Sequence, residues 1–210
     1  ALERHFKFLV LLNQDSNPHM EATRRYFGKL TNGELYYRGI ELRRHDTPRF
    51  FKNFQEKLME ILFDAERIEE VKTTQFRKAC KYVTEAVRKI RRGEIDQSNL
   101  IVCRVLRKPI GEYRSRNAHV IAAEQLSWSG RKVTSGDEIE FLYVNVDHRN
   151  PFRRVVQASL MSNRLCYDAE KYVELALEIA ETILGMLGFH KNQLESQKHF
   201  LRISQFLKEL

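Results

Sequence analysis

The chain has 210 residues, a formal net charge of +8, 42% apolar and 30% charged residues, a balance that excludes disordered and fibrous classes. Its clearest early apolar run, Phe8-Leu9-Val10-Leu11-Leu12, is far too short to span a bilayer and lacks a secretory cleavage pattern, so a soluble cytoplasmic protein is expected. Cys80, Cys103 and Cys166 are widely separated with no Cys-x-x-Cys pair, which argues against a disulfide framework or zinc ribbon, and no metal site is expected from them.

In chain order, the apolar run at 6–12 comes first, and the polar stretch Asn13-Gln14-Asp15-Ser16-Asn17-Pro18 reads as a loop. Two β-type runs follow, Arg24 to Leu30 and Glu34 to Leu42, around Thr31-Asn32-Gly33. Asn-Gly between such runs predicts a hairpin with a type I′ turn, since both residues tolerate positive φ. Thr47-Pro48 predicts a helix start, with Thr as cap and Pro at the first position, and Phe51, Phe54, Leu58 and Ile61 form its apolar stripe. A second helix is expected from Thr74 to Arg92, with Phe76, Cys80, Val83, Val87 and Ile90 inward and Gly93 ending it. Leu100 to Leu106 reads as a strand, Asn117 caps a helix through Leu126, and Ser135-Gly136 turns into the strand Glu138-Ile139-Glu140-Phe141. Asp168 starts a long amphipathic helix with Tyr172, Ala176, Ile179, Ile183 and Leu187 inward, closed by Gly188. Helices and short strands interleave without regular βαβ units, so the class is α+β.

Positive charge is concentrated. Arg24, Arg25, Lys29, Arg38, Arg43, Arg44, Arg49 and Lys52 crowd one stretch, opposed only by Glu34, Glu41 and Asp46. Such a balance favours nucleic acid, an anionic surface or an acidic partner. A second group, Arg77, Lys78, Lys81, Arg88, Lys89, Arg91 and Arg92, reads as the solvated outer face of the second helix. Enzyme chemistry is hard to find. Phosphate-loop, dinucleotide, His-Glu-x-x-His and Gly-x-Ser-x-Gly motifs do not occur. Two-metal phosphoryl transfer needs converging carboxylates, and no Asp-Thr-Asp run supplies them.

The hairpin carries a family resemblance. Arg24-Arg25-Tyr26-Phe27-Gly28-Lys29-Leu30, a turn, then Tyr37-Arg38-Gly39-Ile40-Glu41-Leu42 and Arg44-His45-Asp46 resembles the archaeal B-family DNA polymerases. That family has a Lys-x-Tyr motif, an Arg-Gly-Leu-Glu run, then Arg-Arg-Asp and a helix with a glutamine. Arg24 stands for the usual lysine, Tyr26 matches the tyrosine, and Asp46 and Gln55 keep their places. His45 replaces a usual arginine and Thr47 a common aromatic. Further on, Tyr113-Arg114 and His119-Val120 match a Tyr-Lys segment and a Pro-His-Val helix opening, with Ala118 for the proline. Gly136 fits a Pro-Gly turn, Tyr167-Asp168-Ala169-Glu170-x-Tyr172 matches a late helix, and Ala176 stands for a usual glutamine.

The resemblance implies the last part of a right-hand polymerase, with residues 1–46 a palm-edge strand and hairpin and 47–210 the thumb. In that family the catalytic aspartates lie N-terminal to this region, so the chain itself is expected to carry no catalytic residue and to be inactive alone. Two situations would produce such a chain, a fragment of a longer polymerase or, as favoured here, the natural small subunit of an enzyme split into two polypeptides, as some archaeal members are. The implied partners are therefore a large catalytic subunit with exonuclease, fingers and palm, and primer–template DNA near the prokaryotic nucleoid. No cofactor is expected on this chain, with Mg2+ in the partner's catalytic site. DNA contact is expected from Arg24, Tyr26, Lys29, Arg38, Gly39 and Arg44, and from Tyr113, Arg114, Arg116 and His119 at a helix start, where N–H groups favour phosphate. Strand alternation sets Arg24, Tyr26 and Gly28 on one face and Arg25, Phe27 and Lys29 on the other, which makes Lys29 the weaker candidate. The rival expectation is a structural subunit that completes its partner's palm and binds little DNA. Gln197-Lys198-His199-Phe200 is a degenerate fit to a sliding-clamp peptide, set against a terminal amphipathic turn of Phe200, Ile203, Phe206 and Leu207.

Overall fold

The structure, a computed structural model, describes residues 5–14, 17–162 and 166–191, with backbone alone at 13, 14, 17–24 and 43. The segment 197–207, with both its readings, lies outside the described residues. The fold is α+β, built from two antiparallel three-stranded sheets and five α-helices among the described residues. Two compact units form: residues 1–40, 55–84 and 176–210, and residues 41–54 and 85–175.

In the first unit, β1 (Phe6–Gln14), β2 (Asn17–Leu30) and β3 (Leu35–Arg38) pair in that order. The loop expected over 13–18 is shorter than its composition suggested: β1 runs through Gln14 and β2 resumes at Asn17. Backbone pairing with a neighbour overrides the turn preference of Asn13 and Asn17 there. The 31–33 hairpin also differs from the expected type I′ turn. Gly33 alone takes a positive φ, 92°, and its N–H donates to the Leu30 carbonyl at 2.9 Å. That is a three-residue loop with its left-handed position on glycine. Asn32 helps through its side chain, which accepts from the Glu34 N–H at 3.0 Å. The second run ends early as a strand, at Arg38, because Gly39 turns the chain with φ 70° and Glu41–Arg43 winds into a 3-10 turn.

The helix α1 spans Arg49–Phe63. Pro48 precedes it, and its carbonyl accepts from the Lys52 N–H at 3.1 Å. Thr47 does not cap; its hydroxyl donates to the Glu41 carbonyl at 2.9 Å. The C-terminal part of α1 supplies Leu58, Met59, Leu62 and Phe63 to the first unit's core. Phe63 stacks on Phe8 at 5.7 Å and tilts against Phe27 at 5.8 Å. Each such buried side chain contributes about 1.5–3 kcal/mol. Beyond it, α2 (Ile68–Glu70) leads into a π-helical turn, Val71–Gln75, and then α3 (Phe76–Arg91). Helical structure thus begins six residues before the expected Thr74, over a β-branched stretch of low intrinsic propensity. Gly93, φ 73°, closes α3 as expected: its N–H reaches the Ile90 carbonyl at 3.1 Å and that of Glu94 reaches Lys89 at 3.0 Å, the paired bonds of a Schellman ending.

In the second unit, β4 (Val102–Val105), β5 (Glu138–Tyr143) and β6 (Val155–Gln157) form the second sheet, against which α4 (Ala118–Trp128) packs. Ile121, Ala122, Leu126, Ile139, Phe141 and Val155 make that core. Asn117 holds the N-cap position of α4, but its side chain makes no cap bond. Asp168 does cap α5 (Ala169–Leu184), accepting from the Lys171 N–H at 3.0 Å. Tyr172, fully buried, donates its hydroxyl to the Leu100 carbonyl at 2.9 Å and accepts from the Tyr143 N–H at 3.0 Å. Burial in that apolar setting pushes its phenol far above the usual range, so it stays a neutral donor.

Two substitutions test this packing. Tyr172→Phe leaves two buried backbone groups unpaired and is expected to cost about 1–3 kcal/mol, read as a lower urea midpoint at unchanged slope. Gly28→Ala is expected to destabilise the first unit, since a Cβ there would lie 2.3 Å from the Phe8 carbonyl and 2.8 Å from the Phe6 ring; a wild-type melting temperature would contradict that packing.

Candidate nucleic-acid interface

The ribbon β2–β3 sorts its side chains by alternation. Tyr26 pairs with Arg38 and Gly28 with Tyr36, so these four share one face. On it Tyr26 stacks on Tyr36 at 5.9 Å, and the Phe6 ring meets both edge-on at 6.5 and 5.9 Å. Leu9 and Leu11 of β1 pair with Gly28 and Tyr26 and stand exposed beside them. Arg38 is exposed and Tyr26 half-buried. The opposite face carries Phe27 and Lys29, whose ammonium donates to the Phe63 carbonyl at the end of α1, 3.2 Å away. Arg25 donates to the Gly39 carbonyl at 3.2 Å. The backbone of Arg24 belongs to β2, while its side chain lies outside the described residues.

A separate cleft in the second unit is lined by Arg44, His45, Asp46, Cys103, Arg104, Val105, Arg107, Lys108, Tyr113 and His119. Asp46 anchors it. Its carboxylate takes two bonds from Arg44, at 3.0 and 2.8 Å, and lies 3.8 Å from Arg104. Burial pulls the Asp46 carboxyl upward, but the bond and charge of Arg44, with the charge of Arg104, hold it below the usual carboxylate range. Four basic side chains thus face one acid, a surplus that suits an anion. Tyr113 accepts the Arg107 N–H at 2.9 Å, lies under the Lys108 ammonium at 4.8 Å and meets His119 edge-on at 5.5 Å. Burial, reinforced by Arg104, holds the His119 imidazole below its usual pKa. Both effects favour the uncharged imidazole. Arg114 and Arg116 are exposed and do not line the cleft; the Arg116 guanidinium sits 4.9 Å over the Phe152 ring.

Of the residues singled out from the sequence, the structure gathers Arg44, Tyr113 and His119 in one cleft and Tyr26 and Arg38 on one ribbon face. Arg104, Arg107 and Lys108 escaped sequence reasoning because they sit singly or paired around a short strand. Their signal was the Arg-Lys-Pro at the strand's exit. The basic residues of α3 are on its outer side, where Arg88 pairs with Glu85. Another cleft, in the first unit, sets Glu34, Glu56, Glu60 and Asp64 against Lys29 and Lys57, a poor seat for phosphate. Among the described residues no helix is long and apolar enough to cross a membrane.

The α+β arrangement presents a basic ribbon and a basic cleft, and comparison with known proteins supplies the family. The family model for DNA polymerase family B matches residues 18–197, and the chain belongs to that family. It is 30% identical over 176 residues to "DNA polymerase 2" of Aeropyrum pernix, covering 83% of this chain and 21% of that protein. It is 29% identical over 167 residues to a DNA polymerase of Pyrococcus glycovorans, covering 79% and 20% respectively. The solved family B DNA polymerase of Pyrobaculum calidifontis superposes with a TM-score of 0.66 at 25% identity, over 81% of this chain and 21% of that one. The chain thus spans about a fifth of the length of these relatives.

The depressed Asp46 carboxyl makes a pH prediction. A folded pKa below the unfolded one adds stability that is complete above the unfolded value and disappears as pH falls through the folded value. Asp46→Asn is expected to cost about 0.2–1 kcal/mol at pH 7, small because Arg44 is exposed and screened. The gap between the two proteins should close below about pH 4. A gap in chemical-denaturation free energy that stays constant down to acid pH would remove the ion pair from the account.

Proposed function

We propose that this chain is the thumb-bearing part of a B-family DNA polymerase and grips newly made primer–template duplex by its sugar–phosphate rails. Two-metal nucleotidyl transfer takes place on acidic residues outside it, on the large partner polypeptide that the resemblance implies, in a prokaryotic cytoplasm. The observation that carries this reading is the family match across residues 18–197 combined with basic side chains on the β2–β3 ribbon. A polymerase must hold any sequence, so contacts to phosphate, which position the duplex without reading bases, are the right kind. Arg38 acts from the ribbon face that also presents Tyr26, with Gly39 bringing the backbone near at the strand end, and Arg24 is the further contact expected from β2. Arg44, Tyr113 and His119, joined by Arg104, Arg107 and Lys108, form a second contact set in the cleft. Arg114 and Arg116 contribute from the segment before α4. Lys29 is the weakest member, because its ammonium is engaged by the Phe63 carbonyl.

A second reading, a mainly structural part of the assembled enzyme, draws on the exposed Leu9 and Leu11 of the edge strand β1. An open edge beside apolar side chains favours association. The two readings separate in one experiment. Arg24→Ala and Arg38→Ala are each expected to flatten the dependence of log K on log salt by about one phosphate contact, while leaving assembly with the partner intact. Unchanged slopes in both variants would favour the structural reading. A further expectation is that the chain alone incorporates no nucleotide and that activity returns on adding the partner bearing the aspartates; incorporation by the pure chain would contradict it.

A further inference from the structure

We propose that His45, Cys103 and Glu138 form a binding site for a zinc-class divalent cation in the second unit. The three come from separate elements: the segment after the 3-10 turn at Glu41–Arg43, the edge strand β4, and the start of β5. Their donor atoms all lie within 4.8 Å of one another, and His45 Nδ1 stands 3.7 Å from Glu138 Oε1. Around a tetrahedral zinc, nitrogen, oxygen and sulfur ligands are about 3.3–3.8 Å apart, so closing the site needs donor shifts of about an ångström.

The register of the sheet explains why these donors meet. Cys103 pairs with Glu140 and Val105 with Glu138, so the thiol and both glutamates share the outward face of β4–β5. Glu138 and Glu140 put two carboxylates on the face that carries the thiol, and Arg44 and Arg104 share the same cleft. Those two arginines are engaged by Asp46, which leaves Glu138 to the cation. A thiolate, an imidazole and a carboxylate together suit zinc and its neighbours; the sulfur disfavours magnesium and calcium. Three protein ligands leave one position for water. The cation would clip the 44–46 segment to the β4–β5 sheet, the segment that carries Arg44 into the cleft. Sequence alone hides this site, because its members are separated by 58 and 35 positions.

The test uses cobalt(II) as the probe on metal-free protein. One equivalent is expected to produce a near-ultraviolet thiolate-to-cobalt charge-transfer band that zinc then abolishes. Cys103→Ser is expected to remove the band, with Cys80 and Cys166 intact. Glu138→Gln, an exposed position that leaves the fold alone, is expected to weaken cobalt binding at least about tenfold. Zinc should also raise the melting temperature of the parent protein more than that of either variant. No thiolate band with the parent protein, or a band that survives Cys103→Ser, or cobalt affinity unchanged in Glu138→Gln, would each overturn the site.

Discussion

The two-residue period of the β2–β3 ribbon is the constraint on which the first unit's chemistry depends. It sends Phe27 into the core against Phe63 and turns Lys29 toward the end of α1. The same alternation leaves Tyr26 and Arg38 side by side on the other face. Slipping the register by one residue would exchange the two sets. Gly28 guards against that slip, because the Phe8 carbonyl and Phe6 ring occupy the space of any side chain there. Burial and exposure are thus set by one geometric fact, and the aromatic rings of Phe6, Tyr26 and Tyr36 pack on the face that carries Arg38.

In the second unit, polar bonds to the backbone do comparable work. The Tyr172 hydroxyl ties α5 to the ends of two chain segments, Leu100 before β4 and Tyr143 at the end of β5. Asp168 both caps α5 and accepts the Val146 N–H at 2.8 Å. These bonds hold the sheet whose edge strand presents Arg104, and Asp46 draws Arg44 to the same place. Neutralising one acid with two arginines fixes their positions while a net positive surface remains, a compromise between order and attraction for an anion.

Much of the fold was legible because it follows local rules. The hairpin, the glycine endings at Gly93 and Gly188, the cap at Asp168 and the alternation of 138–141 all appear where short-range chemistry puts them. What escaped depends on neighbours distant in sequence. The strand extension through Asn13 and Gln14 exists because β2 lies alongside, and β6 is three residues with no alternation to detect. The type I′ expectation failed because Asn32 uses its side chain, not a positive φ, to bend the loop. Likewise the cleft collects residues from three separated segments, so Arg104, alone on its strand, carried no signal of its own. The resemblance to archaeal polymerases came from contiguous motifs such as Arg24–Leu30 and Tyr167–Tyr172, and those are the parts a single sequence preserves visibly.

The central claim is that the Tyr26–Arg38 face of the ribbon lies against duplex DNA. An experimental structure of the assembled enzyme on primer–template would measure this most directly, through the distance from the Arg38 guanidinium to the nearest phosphate oxygen. The account predicts a hydrogen-bonded contact of about 2.7–3.2 Å, direct or through one water. An Arg38 packed against protein, with the duplex passing elsewhere, would contradict it.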